Sequence, residues 1–248
     1  MTEGILSRLD GQILRVTFNR PDAGNGATDE MARALTQLLN DAHKAARLVV
    51  LDGAGADFCI GRARMGTPPA RQPEALQRRR QSDTIFDAYA AFRTCRVPVI
   101  CAVQGRALGF GCALAAVADI TIASADAVFQ VPEMEHRILP TMVMSALVDR
   151  TTLKGIGFLV WSCEEVSAER ALSYGIVSDV VPADQLKARV DRVCSKILNA
   201  PPIAAEGVKD FLRRAMTMDT PSAIDYARNL HAVVNSSNEM KDFKPGGQ

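Results

Sequence analysis

The 248-residue chain lacks charge imbalance: its formal net charge is +1 at pH 7. That excludes the basic footprint by which nucleic-acid binders neutralise phosphates. Its six cysteines (Cys59, Cys95, Cys101, Cys112, Cys163 and Cys194) include no CxxC pair. Four lie inside apolar runs, so buried, reduced thiols in a reducing cytoplasm are expected. Histidine is scarce. His43, His136 and His231 share no metal-ligand spacing, so no metal site is expected. The opening stretch, Met1 to Arg8, has no apolar core of the signal-peptide kind. The longest apolar run, Ala107 to Ala118, is too short to span a bilayer and is broken by glycines. Internal repeats and low-complexity segments are missing as well. These absences point to a cytoplasmic, soluble protein with neither nucleic acid nor membrane as a partner.

What is present is an ample core, with 48% of residues apolar, in a pattern of alternating strands and helices. Leu14, Val16 and Phe18 alternate with polar neighbours and predict a strand over 12–18 with one wet face. Pro21 to Gly26 breaks it. Thr28 is placed to cap a helix, with Asp29 and Glu30 complementing the dipole and Met31, Leu35, Leu38, Leu39 and Ala42 on one face. Leu48–Leu51, Val97–Val103 and Ile120–Ala123 are short unbroken apolar runs, the pattern of strands covered on both faces. Strands alternating with helices predict an α/β fold with a parallel sheet. Residues 64–80, polar and broken by prolines, read as a mobile loop leading into a helix that ends near Thr94. The tail predicts helices near 184–199, 203–217 and 221–235, with Pro202 and Pro221 in first turns. Leu186, Val190, Val193 and Ile197 form an apolar face that suggests subunit contacts.

The chemistry concentrates in Val103-Gln-Gly-Arg-Ala-Leu-Gly-Phe-Gly-Cys-Ala-Leu-Ala115 and in Gln130-Val-Pro-Glu133. A β-rich run ends at glycines and opens into an Ala/Leu helix. Gly109 and Gly111 let backbone approach a ligand, and the helix start offers unpaired N–H groups and a positive dipole end. Such a cradle stabilises a developing oxyanion. Glu133 is the nearby carboxylate able to move a proton, with a pKa raised by apolar walls. The plain alternatives are a tight strand-to-helix turn and a solvated glutamate.

Ala107-Leu-Gly-Phe-Gly-Cys-Ala-Leu-Ala115 resembles the helix-opening motif of the crotonase (enoyl-CoA hydratase/isomerase) superfamily. Asp57-Phe-Cys-Ile-Gly-Arg-Ala63 resembles that family's first oxyanion segment. Asn19-Arg-Pro21, Asp119-Ile-Thr-Ile-Ala123 and Ala171 to Pro182 follow the same pattern, so the resemblance covers about three quarters of the chain. It implies a spiral core of ββα turns over 1–190 with a CoA-thioester site, and a C-terminal helical trimerisation region over 191–248. It implies oxyanion donation by the backbone N–H groups of Arg62 and Phe110, and acid/base work by Glu133. Contacts to substrate or CoA fall to Arg20, Cys59, Ile60, Gly61, Arg64, Gly109 and Gly111. Coenzyme A enters as part of the substrate and no separately bound cofactor is implied. The assembly implied is a homotrimer or a dimer of trimers.

The chain departs from the pattern at Ala113, where the family has its other glutamate. One glutamate suffices to move a proton from C2 to C4, so Δ3-to-Δ2 enoyl-CoA isomerisation is preferred over hydration. His136, three residues beyond Glu133, opens decarboxylase or hydrolase chemistry. A non-catalytic acyl-CoA-binding subunit is the alternative from another class. Further departures are Asp22 where a lysine is frequent, Leu139-Pro-Thr-Met-Val-Met144 where a glycine-rich turn is common, and a short tail from Lys241. Arg78-Arg79-Arg80 reads as a solvated helix face.

Overall fold

The computed structural model describes residues 3–63 and 74–244. The chain starts with β1 (Ile5–Asp10), β2 (Ile13–Phe18), α1 (Asp29–Asp41), β3 (Leu48–Gly53) and α2 (Ala75–Thr94). Next come β4 (Val99–Val103), β5 (Arg106–Leu108), α3 (Phe110–Val117), β6 (Ile120–Ser124), β7 (Val128–Gln130), α4 (Thr141–Leu147) and α5 (Leu153–Ser162). The remainder is β8 (Val166–Ser167), α6 (Ala168–Tyr174), β9 (Asp179–Val181) and four helices: α7 (Leu186–Leu198), α8 (Pro202–Ala215), α9 (Thr220–Ser236) and α10 (Asn238–Asp242).

Two sheets result, ordered β1-β2-β3-β4-β6-β9 and β5-β7-β8. The β1–β2 hairpin is antiparallel, and β2 through β9 then pair in parallel across the larger sheet. Successive strands alternate between the sheets before a helix follows: β4 joins the large sheet, β5 the small one, then α3; β6 and β7 repeat the step before α4. This is the ββα spiral the resemblance implies.

Register explains why the central strands are unbroken apolar runs. Alternate residues face opposite sides of a sheet. Val49, Leu51, Val99, Cys101 and Val103 enter the core beneath α1, α2 and α3. Leu48, Val50, Ile100 and Ile122 face the other way and meet Leu186, Val190 and Cys194 of α7, with Val193 and Ile197 partly buried beside them. This corrects the expectation for α7: its apolar face is covered by the chain's own sheet and gives no argument for subunit contacts. Position 190 lies within that helix.

Thr28 caps α1 as expected, accepting from Met31 N at 3.2 Å. Pro202 and Pro221 occupy first turns of α8 and α9. Of the segment 64–80 read as a loop leading into a helix, α2 takes over from Ala75, and Arg78–Arg80 lie exposed on it, the helix face expected of them. Once Pro73 is passed, Ala, Leu, Gln and Arg are all good helix formers, and polarity does not prevent a helix. The part of that loop at 64–73, Arg64 included, lies outside the described residues. All six cysteines are buried and free. Among the described residues no helix is long and apolar enough to cross a membrane.

Candidate active site

The small sheet assembles the site from backbone. Cys59 bridges to Ala107, which pairs with Phe129 in turn. Leu108 N–H donates to Cys59 O at 2.9 Å and Gly109 N–H to Gln130 O at 2.9 Å. Three chain segments thus run side by side and end together, bringing Gly61, Gly109 and Glu133 to one place. A Cβ built on Gly109 would lie 2.8 Å from Glu133 Oε1 and 3.9 Å from Gly61 Cα. Gly109 itself has φ 49° and ψ −109°, backbone that a side chain disfavours. Gly111 is held by contact instead: a Cβ there would sit 2.1 Å from Cys59 O, which only hydrogen permits.

The segment carrying Gly61 is braced from behind. Asn25 is fully buried at φ 56°. Its Oδ1 accepts from Arg20 N at 2.8 Å, and its Nδ2 donates to Ala54 O at 2.8 Å and Asp57 O at 2.7 Å. Phe58 packs edge-on against Phe18 with centroids 6.2 Å apart. Asp57 accepts two bonds from the Arg106 guanidinium, at 2.9 and 2.8 Å, and one from Arg106 N. Arg106 beside it holds the Asp57 carboxyl below its ordinary pKa.

Two amides are left to donate. Ala27 takes both hydrogen bonds flanking Arg62, donating to Gly61 O at 2.9 Å and accepting from Ala63 N at 2.8 Å. Alternation along an extended strand turns the Arg62 N–H away from Ala27. Phe110 opens α3, where a helix has no internal acceptor for its N–H. Neither amide has a partner among the described residues.

Glu133 starts a tight turn in which its carbonyl accepts from His136 N at 3.1 Å and Ile138 N at 2.9 Å. Its Oε2 is buried without a partner. Burial pushes the carboxyl above its ordinary pKa, opposed by its own backbone N–H and by the charge of His136. His136 itself is exposed in the turn. Ala113 is fully buried on α3 and brings no carboxylate. Cys59 and Cys112 remain thiols, their pKa values pushed up to about 12 by burial.

Arg20 and Arg62 of the sequence reading have protein partners. The Arg20 guanidinium donates to Gly26 O at 2.7 Å, and that of Arg62 pairs with Asp29 at 2.7 Å. Ile60 is half-buried, its N–H bonded to Gly24 O at 3.0 Å. In the 139–144 segment, Met142 packs at the edge of the core, whereas Met144 is 36% exposed and Leu139 is 73% exposed. Sequence reasoning missed Asn25 and Tyr89. Tyr89, on α2, is buried with its ring 5.6 Å from that of Phe110, tilted by 31°. Its signal was the 85, 88/89, 92 helical spacing, which reads as ordinary core.

Glu133, with Oε2 buried and unpartnered, thus lies on a ββα spiral beside Gly109 and Gly61, next to the two segments whose Arg62 and Phe110 amides have no partner among the described residues. The model of the enoyl-CoA hydratase/isomerase family matches residues 8–246, and the chain belongs to that family. It is 28% identical to the short-chain-enoyl-CoA hydratase of Clostridium acetobutylicum, over 96% of this chain and 92% of that one. It is 29% identical to the 2,3-dehydroadipyl-CoA hydratase of Escherichia coli, over 98% and 94%. The crystal structure of an enoyl-CoA hydratase from Mycobacterium smegmatis matches with a TM-score of 0.88 at 26% identity, covering 95% of this chain and 92% of that one.

Proposed function

We propose that the protein moves a double bond in an acyl-CoA thioester, Δ3 to Δ2, with Glu133 as the single acid/base group. The thioester oxygen accepts from the N–H groups of Arg62 and Phe110. Glu133 removes a proton from C2, and the C–H electron pair becomes the enolate. As the carbonyl re-forms, the C2=C3 bond forms, the C3=C4 pair opens, and C4 takes the proton back from Glu133. Each preorganised amide contributes roughly 3 kcal/mol to the enolate-like transition state. The observation that carries this reading is Glu133 Oε2, buried and unpartnered beside Gly109, with only Ala113 where a second carboxylate would activate water.

Hydration is the second reading, favoured by the names of the two curated relatives. Offering 3-enoyl- and 2-enoyl-CoA thioesters and following conjugated-thioester absorbance separates them. Migration of the 3-enoyl double bond supports isomerisation; rapid hydration of the 2-enoyl substrate without migration overturns it. Glu133→Gln is expected to lower kcat by about 10²–10⁴ with CoA binding nearly intact. Equal traces of turnover in both proteins would mark an acyl-CoA-binding subunit. His136→Ala tests decarboxylase or hydrolase chemistry and is expected to change turnover by no more than about threefold. Arg20 and Arg62 are proposed to meet the CoA phosphates, and the assembly is proposed to be a homotrimer, alone or stacked in pairs.

A further inference from the structure

Glu133 Oε2 is buried without a hydrogen-bond partner, and no hydrogen bond joins the Tyr89 hydroxyl to another described residue. They come from different elements. Glu133 follows β7, while Tyr89 reaches in from α2 and lays its ring against Phe110, whose amide is one of the two free donors. The phenol feels the charges of Glu133 and Arg62, and the thiols of Cys59 and Cys112 lie within the same reach. The side chain is 2% exposed, and a buried tyrosine hydroxyl ordinarily finds a partner. The two groups do not bond to each other, so each keeps its hydrogen-bonding capacity for a ligand atom. Burial and the negative charge of Glu133 push the phenol well above its ordinary pKa, so it stays a neutral donor.

We propose that the Tyr89 hydroxyl donates a hydrogen bond to an oxygen on the acyl group, so that the preferred substrate carries a hydroxyl, oxo or carboxyl oxygen beyond the thioester carbonyl. This rests on reading the site as an acyl-CoA site. An all-hydrocarbon chain would strand the phenol against apolar atoms. A site built to hydrogen-bond a polar group discriminates strongly against analogues that lack it. Phe110, Ile85 and Phe92 around Tyr89 offer no other acceptor from their side chains.

The test is calorimetric titration of the wild-type and Tyr89→Phe proteins with free CoA, butyryl-CoA, 3-hydroxybutyryl-CoA, acetoacetyl-CoA and glutaryl-CoA. At least one oxygenated thioester is expected to bind the wild type about tenfold or more tighter than butyryl-CoA. Tyr89→Phe should erase that preference and leave the Kd for butyryl-CoA unchanged or lower. The preference should also be flat between pH 6 and 9, because the phenol does not titrate there. Equal binding of all thioesters by the wild type overturns the proposal alone, as does a preference that survives in Tyr89→Phe. The wild-type comparison stands even if the variant fails to fold. Failure to bind butyryl-CoA and free CoA at all overturns the acyl-CoA reading and this proposal with it.

Discussion

Gly109 and Gly111 are two residues apart, yet alanine should harm them differently. At Gly111 the new methyl meets the Cys59 carbonyl at 2.1 Å, backbone against backbone, so two segments must separate. Gly111→Ala is expected to cost about 3 kcal/mol of stability by overpacking, and activity with it. At Gly109 the methyl meets the far end of the Glu133 side chain, which can swing aside. Gly109→Ala is expected to cost only about 1 kcal/mol for its left-handed φ while lowering kcat about a hundredfold by displacing the carboxylate. Urea melts and turnover measured on both variants would check this; equal stability losses would contradict it. Glu133 has a pH signature too. Its folded pKa lies above its unfolded one, so the cost of burying its charge is absent below the unfolded value and is fully felt above the folded value. The residue therefore makes the protein less stable as pH rises through that window. Glu133→Gln should be more stable than the parent at pH 7, with the gap closing as pH falls through the ordinary glutamate range. A variant less stable than the parent at pH 7 would refute the assignment.

At the scale of elements, α8 is fixed to the body by one buried ion pair. Lys209 Nζ donates to Asp119 Oδ2 at 2.7 Å and to Val97 O at 3.0 Å, while the other contact of Asp119 Oδ2 is Val99 N at 2.7 Å. The Lys209 side chain is only 7% exposed. Removing one partner strands a buried charge, so Lys209→Ala is expected to cost about 3 kcal/mol, and Lys209→Met, which fills the space, about the same or less. Guanidinium denaturation followed by circular dichroism measures both. A loss under about 0.5 kcal/mol would mean the pair is as dispensable as a surface bridge. This contact joins residues 90 positions apart, and no local pattern announces it. By contrast, β3, β4 and β6 were legible because burial on both faces leaves an unbroken apolar run. The short strands β5, β7 and β8 have three, three and two residues, too few to show a period. They are the very strands that bring the site together.

At the scale of the molecule, the convergence of Gly61, Gly109, Gly111 and Glu133 was legible through the resemblance, because the two glycine segments and Glu133 follow one another in the order of the crotonase motifs. Tyr89 was not, because its helix position looks like core until its neighbours in space are known. The α7 face misled for the same reason: a sequence shows that a face is apolar, not what covers it. One apolar surface that stays uncovered is on α8 and α9. Val208, Leu212 and Met216, each more than half exposed, repeat every four residues as one stripe, joined by Ile224 and Val233. A threefold ring closes through two different patches on each copy. A second apolar set is exposed around α4 and α5: Leu139, Val148, Leu153 and Trp161, all above 50% exposure. Exposed apolar sets of this kind are what subunit contacts cover. Light scattering is expected to give about 80 kDa or about 160 kDa, three or six copies of the 26.7 kDa chain. Leu212→Glu and Trp161→Glu, placed on the two separate patches, should each shift the mass toward the single chain. A wild-type mass of 26.7 kDa at micromolar concentration would refute the assembly, and either variant left at full mass would remove its patch from the interface.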